Sequence, residues 1–148
     1  MKFILVEEED KRNYFDLLLS ADEQPSMIEK YLGRGTMYAL VDGGVKAVCV
    51  VTDEGNGTLE IKNIAVREGF RKKGYGRALI NFLQEEYRGG FSILQAGTGD
   101  SPLTVPFYLS CGFERAHTVK DFFTHNYAEP IYEGGILLTD MVYFRKRI

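Results

Sequence analysis

"FRKKGYGRAL", residues 70–79, decides how this chain is read. Arg71, Lys72, Lys73 and Arg77 stand here with Gly74 and Gly76 among them. The residues before it, Thr58–Val66, are rich in apolar and β-branched types and predict a strand. After it, Tyr75, Ala78, Leu79, Phe82, Leu83 and Tyr87 recur at helical spacing, and Gly89-Gly90 ends the run. A loop entering a helix aims backbone N–H groups at whatever sits on the helix N-terminus. Glycines allow positive φ and close approach, and basic side chains add Coulomb attraction. The stretch reads as a phosphate cradle.

Two common phosphate motifs do not fit it. Gly69 and Gly74 have the P-loop spacing, but Tyr75 and Gly76 replace its Lys and Ser/Thr. A dinucleotide loop needs a third glycine at position 79, where Leu79 stands. What remains is Arg71-x-x-Gly74-x-Gly76.

Working outward, Phe3–Val6 predicts a first strand. Tyr14, Leu17 and Leu18 suggest a helix, and Pro25, Met27, Ile28, Tyr31 and Leu32 a second, stopped by Gly33. Thr36–Val41 and Val45–Thr52 predict a hairpin around Asp42-Gly43-Gly44. Phe91–Ala96 predicts another strand. Thr104 can N-cap a further helix, with Pro106 in its first turn and Gly112 past its end. Two last strands are expected over Ala116–Phe123 and Ile136–Phe144, joined by a polar, aromatic loop, Thr124–Gly135. The expectation is one mixed α/β domain over residues 1–148, with about seven strands and four helices.

The strand Thr58–Val66 is irregular. Leu59 and Ile61 share one face, whereas Ile64 and Val66 fall on the other by simple alternation, so parity switches around Asn63. A β-bulge gives that switch; a strand buried on both faces gives the same pattern.

Composition narrows the partners. The chain has 148 residues, 45% hydrophobic, enough for a real core, and a net charge of −3. A small acidic surplus argues against nucleic-acid and membrane-surface binding, so the local basic cluster points to a small anion. No apolar run reaches the length of a membrane span, and the start lacks the long apolar region of a signal peptide. With two distant cysteines, Cys49 and Cys111, a reduced, cytoplasmic protein is expected.

With its setting between strand and helix, Arg71-x-x-Gly74-x-Gly76 resembles the cofactor loop of the GNAT superfamily of N-acetyltransferases. About thirty residues on, Phe107-Tyr108-Leu109-Ser110-Cys111-Gly112-Phe113 is similar to that family's Phe-Tyr-x-x-x-Gly-Phe element. The predicted element order matches across nearly the whole chain. The resemblance implies that Arg71, Lys72, Lys73, Gly74, Tyr75, Gly76 and Arg77 hold the pyrophosphate of acetyl-CoA. It also implies splayed central strands, with the pantetheine arm on the backbone of Ile64, Ala65 and Val66. That arm would face the strand Phe91–Ala96, and the expected bulge near Asn63 suits the gap. Many members carry an Asn after the facing strand; here Gly97-Thr98-Gly99-Asp100 replaces it.

The chemistry sets further requirements. An alkylamine is almost wholly protonated at neutral pH and must lose a proton before attack. Glu60, in the register of a general base in some members, is the candidate; its bland alternative is an exposed strand carboxylate paired with Lys62. Asp100 is a second candidate. Tyr108 matches the tyrosine that protonates the leaving thiolate in many members; otherwise it is a packed helix tyrosine. A backbone N–H near Ala65 would polarise the thioester carbonyl. Cys111 as an acyl-carrying nucleophile lacks an identifiable base. His117 and His125 are too isolated for a metal, so no metal is expected.

For the acceptor, the resemblance points to the early helices and the 124–135 loop. Tyr127, Glu129 and Glu133, with Asp22 and Glu23, suit a cationic amine. The same loop equally suits homo-oligomer contact through Tyr127, Ile131 and Tyr132 and the C-terminal strands. The expected activity is transfer from acetyl-CoA to a primary amine in a ternary complex. A non-catalytic acyl-CoA-binding or regulatory module on the same fold is the alternative; it would keep the cradle and lose Tyr108 and Glu60.

Overall fold

The computed structural model describes all 148 residues. Its elements are β1 (Lys2–Val6), α1 (Phe15–Leu19), α2 (Pro25–Leu32), β2 (Thr36–Val41), β3 (Val45–Gly55), β4 (Thr58–Val66), α3 (Tyr75–Tyr87), β5 (Ile93–Gly99), α4 (Val105–Ser110), β6 (Glu114–Val119), α5 (Phe122–Asn126), β7 (Tyr132–Glu133), β8 (Ile136–Leu137) and β9 (Met141–Arg147). A 3-10 segment, Glu8–Tyr14, leads into α1. Seven strands form one mixed sheet in the order β1-β2-β3-β4-β5-β9-β6, and β7 and β8 make a separate small hairpin.

Apolar residues alternate across the sheet and give it two buried faces. Ala47, Cys49 and Val51 of β3 meet Leu79, Ile80 and Leu83 of α3 and Val105 and Tyr108 of α4. Val48 and Val50 of the same strand meet Leu18 of α1 and Ile28, Tyr31 and Leu32 of α2. The result is a helix–sheet–helix sandwich.

The parity switch in β4 is a bulge. Asn63 pairs with Val50 and Ile61 with Val51, so Lys62 is the extra residue. The bulge returns Ile64 and Val66 to the face of Leu59 and Ile61, and all four serve the same core. The opposite face of β4 is buried as well, at Glu60, Asn63 and Ala65. Both readings of the strand therefore hold.

Beyond the bulge the sheet forks. Parallel pairing of β4 with β5 runs from Thr58–Ile93 to Ile61–Ala96 and stops there. Residues Gly97–Gly99 of β5 pair only with β9.

The end of the chain differs from its sequence-based expectation. Phe122 and Phe123 do not extend a strand; they open α5, and strand β6 ends at Val119. Phe123 stacks obliquely on Tyr127, one helical turn on, with centroids 5.2 Å apart. Helical spacing of three aromatics, Phe122, Phe123 and Tyr127, outweighs their β preference. The expected strand Ile136–Phe144 is two pieces, β8 and β9, and α5 raises the helix count from four to five. Thr104 precedes α4 but does not cap it; its hydroxyl donates to the Gly99 carbonyl at 3.3 Å.

Candidate active site

The loop between β4 and α3 is built for open N–H groups. Gly69, Lys72 and Gly74 all have positive φ, and Gly74, at φ 90°, stands at the N-cap of α3. A side chain at Gly74 would be strained by the backbone alone. Gly76 is needed for a different reason: a Cβ there would lie 3.1 Å from Cζ of Phe107. The first helical bond runs from the Ala78 N–H to the Gly74 carbonyl, 2.9 Å, and no side chain caps the helix. The N–H groups of Tyr75, Gly76 and Arg77 are thus left for an anion.

The side chains predicted for the cradle divide. Lys72 and Lys73 are exposed and spend their charge on no protein partner. Arg71 keeps its terminal nitrogens free while its Nε donates to the Val66 carbonyl at 3.2 Å. Arg77 is committed elsewhere, donating to the carbonyl and Oγ of Ser110 at 2.9 and 3.0 Å. The Tyr75 hydroxyl donates to Asp42 at 2.7 Å.

Ile64, Ala65 and Val66 line the β4 side of the fork, beyond the last pair with β5. Tyr108, on α4, is 6% exposed and stacks on Phe144 with centroids 5.6 Å apart. Its hydroxyl has no protein partner, and burial raises its pKa well above the ordinary tyrosine value. It stays protonated at neutral pH and remains free to donate.

Glu60 is not the exposed strand carboxylate. It is 5% exposed, with Lys62 Nζ 2.7 Å from Oε2 and Gln95 Nε2 donating to Oε1 at 2.6 Å. Arg145 Nε in turn donates to Gln95 Oε1 at 2.7 Å and fixes that amide. Asp100 lies at the surface, 3.2 Å from Arg115. Thr98, in the stretch where many members carry an Asn, donates to the Thr104 hydroxyl at 2.8 Å.

On the α1–α2 side of the fork lies a cleft of about 90 Å³. Asp22, Glu23 and Glu133 line it, with Lys62, Tyr127 and the Gly97–Gly99 stretch. Its only cationic side chain, Lys62, is already neutralised by Glu60, so three carboxylates set its charge. Asp22 accepts hydrogen bonds from Tyr127 (2.6 Å) and Tyr31 (3.1 Å) and has no cationic partner. Burial raises its carboxyl pKa, against the pull of the two hydroxyls. Asn63 extends the chain by donating to Tyr31 at 3.0 Å. Of the predicted acceptor residues, Tyr127 and Glu133 meet here, and Glu129 is exposed outside the lining. Ile131 also faces the cleft, while Tyr132 stands exposed beside it. Sequence reasoning paired Lys62 with Glu60, as found, but missed its place in the cleft and the Asn63–Tyr31–Asp22–Tyr127 chain. Its members span 105 residues, and only the fold brings them together.

A family profile described as "Acetyltransferase (GNAT) domain" matches residues 33–115. The chain belongs to the GNAT acetyltransferase family. It is 37% identical over 138 residues to an uncharacterized N-acetyltransferase, YvbK, of Bacillus subtilis (strain 168), covering 91% of this chain and 89% of that one. Among solved structures it is similar to an IAA acetyltransferase from Bacillus cereus ATCC 14579, with 34% identity, TM-score 0.92 and 99% of both chains covered. A GNAT family acetyltransferase from Elizabethkingia anophelis, solved with acetyl-CoA bound, shares 34% identity over 90% of both chains at TM-score 0.85. The glycine-rich β4–α3 loop, the fork and Tyr108 thus stand in a GNAT acetyltransferase.

Proposed function

We propose that this GNAT acetyltransferase transfers the acetyl group of acetyl-CoA directly to a cationic primary amine held in the acidic cleft. One observation carries the reading: the strands part at Ile61 and Ala96, between the free N–H groups of the cradle and the cleft. A cofactor whose phosphates lie on Lys72, Lys73 and the α3 N-terminus would run along Ile64–Val66. Its thioester would then reach the fork, with an N–H near Ala65 polarising the carbonyl. The relative that carries acetyl-CoA supports this assignment.

Proton transfers at nitrogen and at sulfur complete the reaction. The acceptor arrives as an ammonium, drawn by Asp22, Glu23 and Glu133. Its nitrogen displaces Lys62 from Glu60 Oε2, gives up a proton there and attacks the carbonyl. The C–S bond breaks, the thiolate takes the Tyr108 proton, and the second proton lost from nitrogen makes up that of Tyr108, while the Glu60 proton passes to solvent. No acyl-enzyme forms, since Cys111 is buried in the apolar core, and the Lys146 amine next to it is held on its backbone carbonyl at 2.8 Å.

Initial rates with both substrates varied should therefore give intersecting reciprocal plots; parallel plots would refute direct transfer. Tyr108→Phe should lower kcat about a hundredfold. Acetyl-CoA affinity, read by calorimetry with ATP as control, should stay nearly constant. Equal turnover in variant and wild type removes Tyr108 from the mechanism. Equal binding of ATP and acetyl-CoA removes the cradle assignment.

A further inference from the structure

Lys62 is a primary amine of the protein's own, standing in the cleft proposed for an acceptor amine. It is the inserted residue of the β4 bulge and the first residue past the last β4–β5 pair, so it sits at the fork. Lys62 lines the cleft, as do Gly97, Thr98 and Asp22. Its ammonium lies 2.7 Å from Oε2 of Glu60, the proposed base. This is what an acceptor amine needs: a nitrogen at the base, on a residue that stands at the fork and lines the cleft.

We propose that Lys62 is an acetylation site of the enzyme itself, modified by its bound acetyl-CoA when no external amine fills the cleft. The proposal rests on the reading of the cradle and fork as an acetyl-CoA site. Glu60 takes one proton from the Lys62 ammonium, and the free Nζ attacks the thioester carbonyl. The N–C bond forms and the C–S bond breaks with its electron pair on sulfur. The second proton lost from nitrogen makes up the one that Tyr108 gives the thiolate, and the Glu60 proton passes to solvent. The products are Nε-acetyl-Lys62 and free CoA, with no redox change. The amide is neutral and releases Glu60, leaving that buried carboxylate with Gln95 as its one partner. It also leaves the acetyl group in the cleft, so modification blocks the acceptor.

Lysines at the surface provide the contrast. Lys72 and Lys73 are exposed and react with acetyl-CoA only at the slow solution rate, whereas the Lys62 side chain is 21% exposed and ion-paired. Accessibility alone would make Lys62 one of the slower lysines. Preferential reaction there thus reports the site.

The test is to incubate the full chain with acetyl-CoA, without an amine, and follow it by intact mass and peptide mapping. The expected result is one acetyl group per chain, on the peptide carrying Lys62, gained at least about tenfold faster than on any surface lysine. Lys62→Arg should lose that fast phase, and Glu60→Gln should slow it about a hundredfold. An excess of cationic primary amines that are turned over should protect Lys62. Calorimetry on the same sample separates the two ideas. Acetyl-CoA binding with Lys62 modified no faster than surface lysines overturns this proposal and leaves the acetyl-CoA site standing. Absence of binding overturns both.

Discussion

Lys72 and Arg77 lie within the same short basic run, and their side chains do different work. Lys72 has no protein partner, whereas Arg77 ties the start of α3 to the last turn of α4 through Ser110. Lys72→Ala combined with Lys73→Ala should weaken acetyl-CoA binding about tenfold or more. Arg77→Ala should leave affinity within about threefold and lower stability by ~1 kcal/mol. Calorimetry and urea unfolding check both, and the reverse order of effects returns Arg77 to the cradle. The charge cluster was legible in sequence; the fate of Arg77 was not, because Ser110 is 33 residues away. Asp22 gives a pH prediction. Burial raises its carboxyl pKa above 3.8, so the folded chain holds that proton longer than the unfolded chain does. This contribution therefore falls as pH rises from about 3.8 through the raised value, and the loss persists above it. Asp22→Asn should flatten that part of the stability curve. Identical slopes in variant and wild type would remove Asp22 as the titrating group.

At the scale of elements, periodicity was the reliable guide. Strand β4 and helix α2 fall where their patterns place them, and the break in alternation marked the bulge to within a residue of Lys62. Helix α5 escaped because five residues give too little periodicity, and adjacent phenylalanines favour a strand. Lys11 escaped too, since a lysine after Glu7, Glu8, Glu9 and Asp10 reads as a solvated charge. It is 4% exposed, and its ammonium donates to the carbonyls of Leu32 and Gly35, both at 2.7 Å. There it closes the C-terminal end of α2, where a cation also meets the helix dipole. Lys11→Met keeps the apolar stem and drops those bonds. It should cost about 3 kcal/mol, a fall of about 8 °C in Tm by thermal unfolding. A change under about 1 kcal/mol would show that water replaces the ammonium.

Across the whole molecule, the two core faces follow from alternation in β3, which the sequence displays. The insertion of β9 between β5 and β6 was beyond reach, because it depends on pairings such as Gln95 with Arg145, 50 residues apart. The fork was foreseen only through the family resemblance. Within the sheet, the ladder β1–β4 meets the ladder β5–β9–β6 through just four residue pairs of β4–β5. In hydrogen exchange, the Ile93–Ala96 amides should gain more protection on acetyl-CoA binding than those of β2 and β3. Uniform gains would mean that the ligand does not bridge the halves. The narrow seam also bears on how the chain reaches its native state. Hairpins β2–β3 and β3–β4 close short loops, while Glu60 must find Gln95 across 35 residues and in parallel orientation. Docking of the two ladders should come late, after each has formed. Core substitutions in β2 and β3 should then slow folding, whereas those lining the seam should mainly speed unfolding.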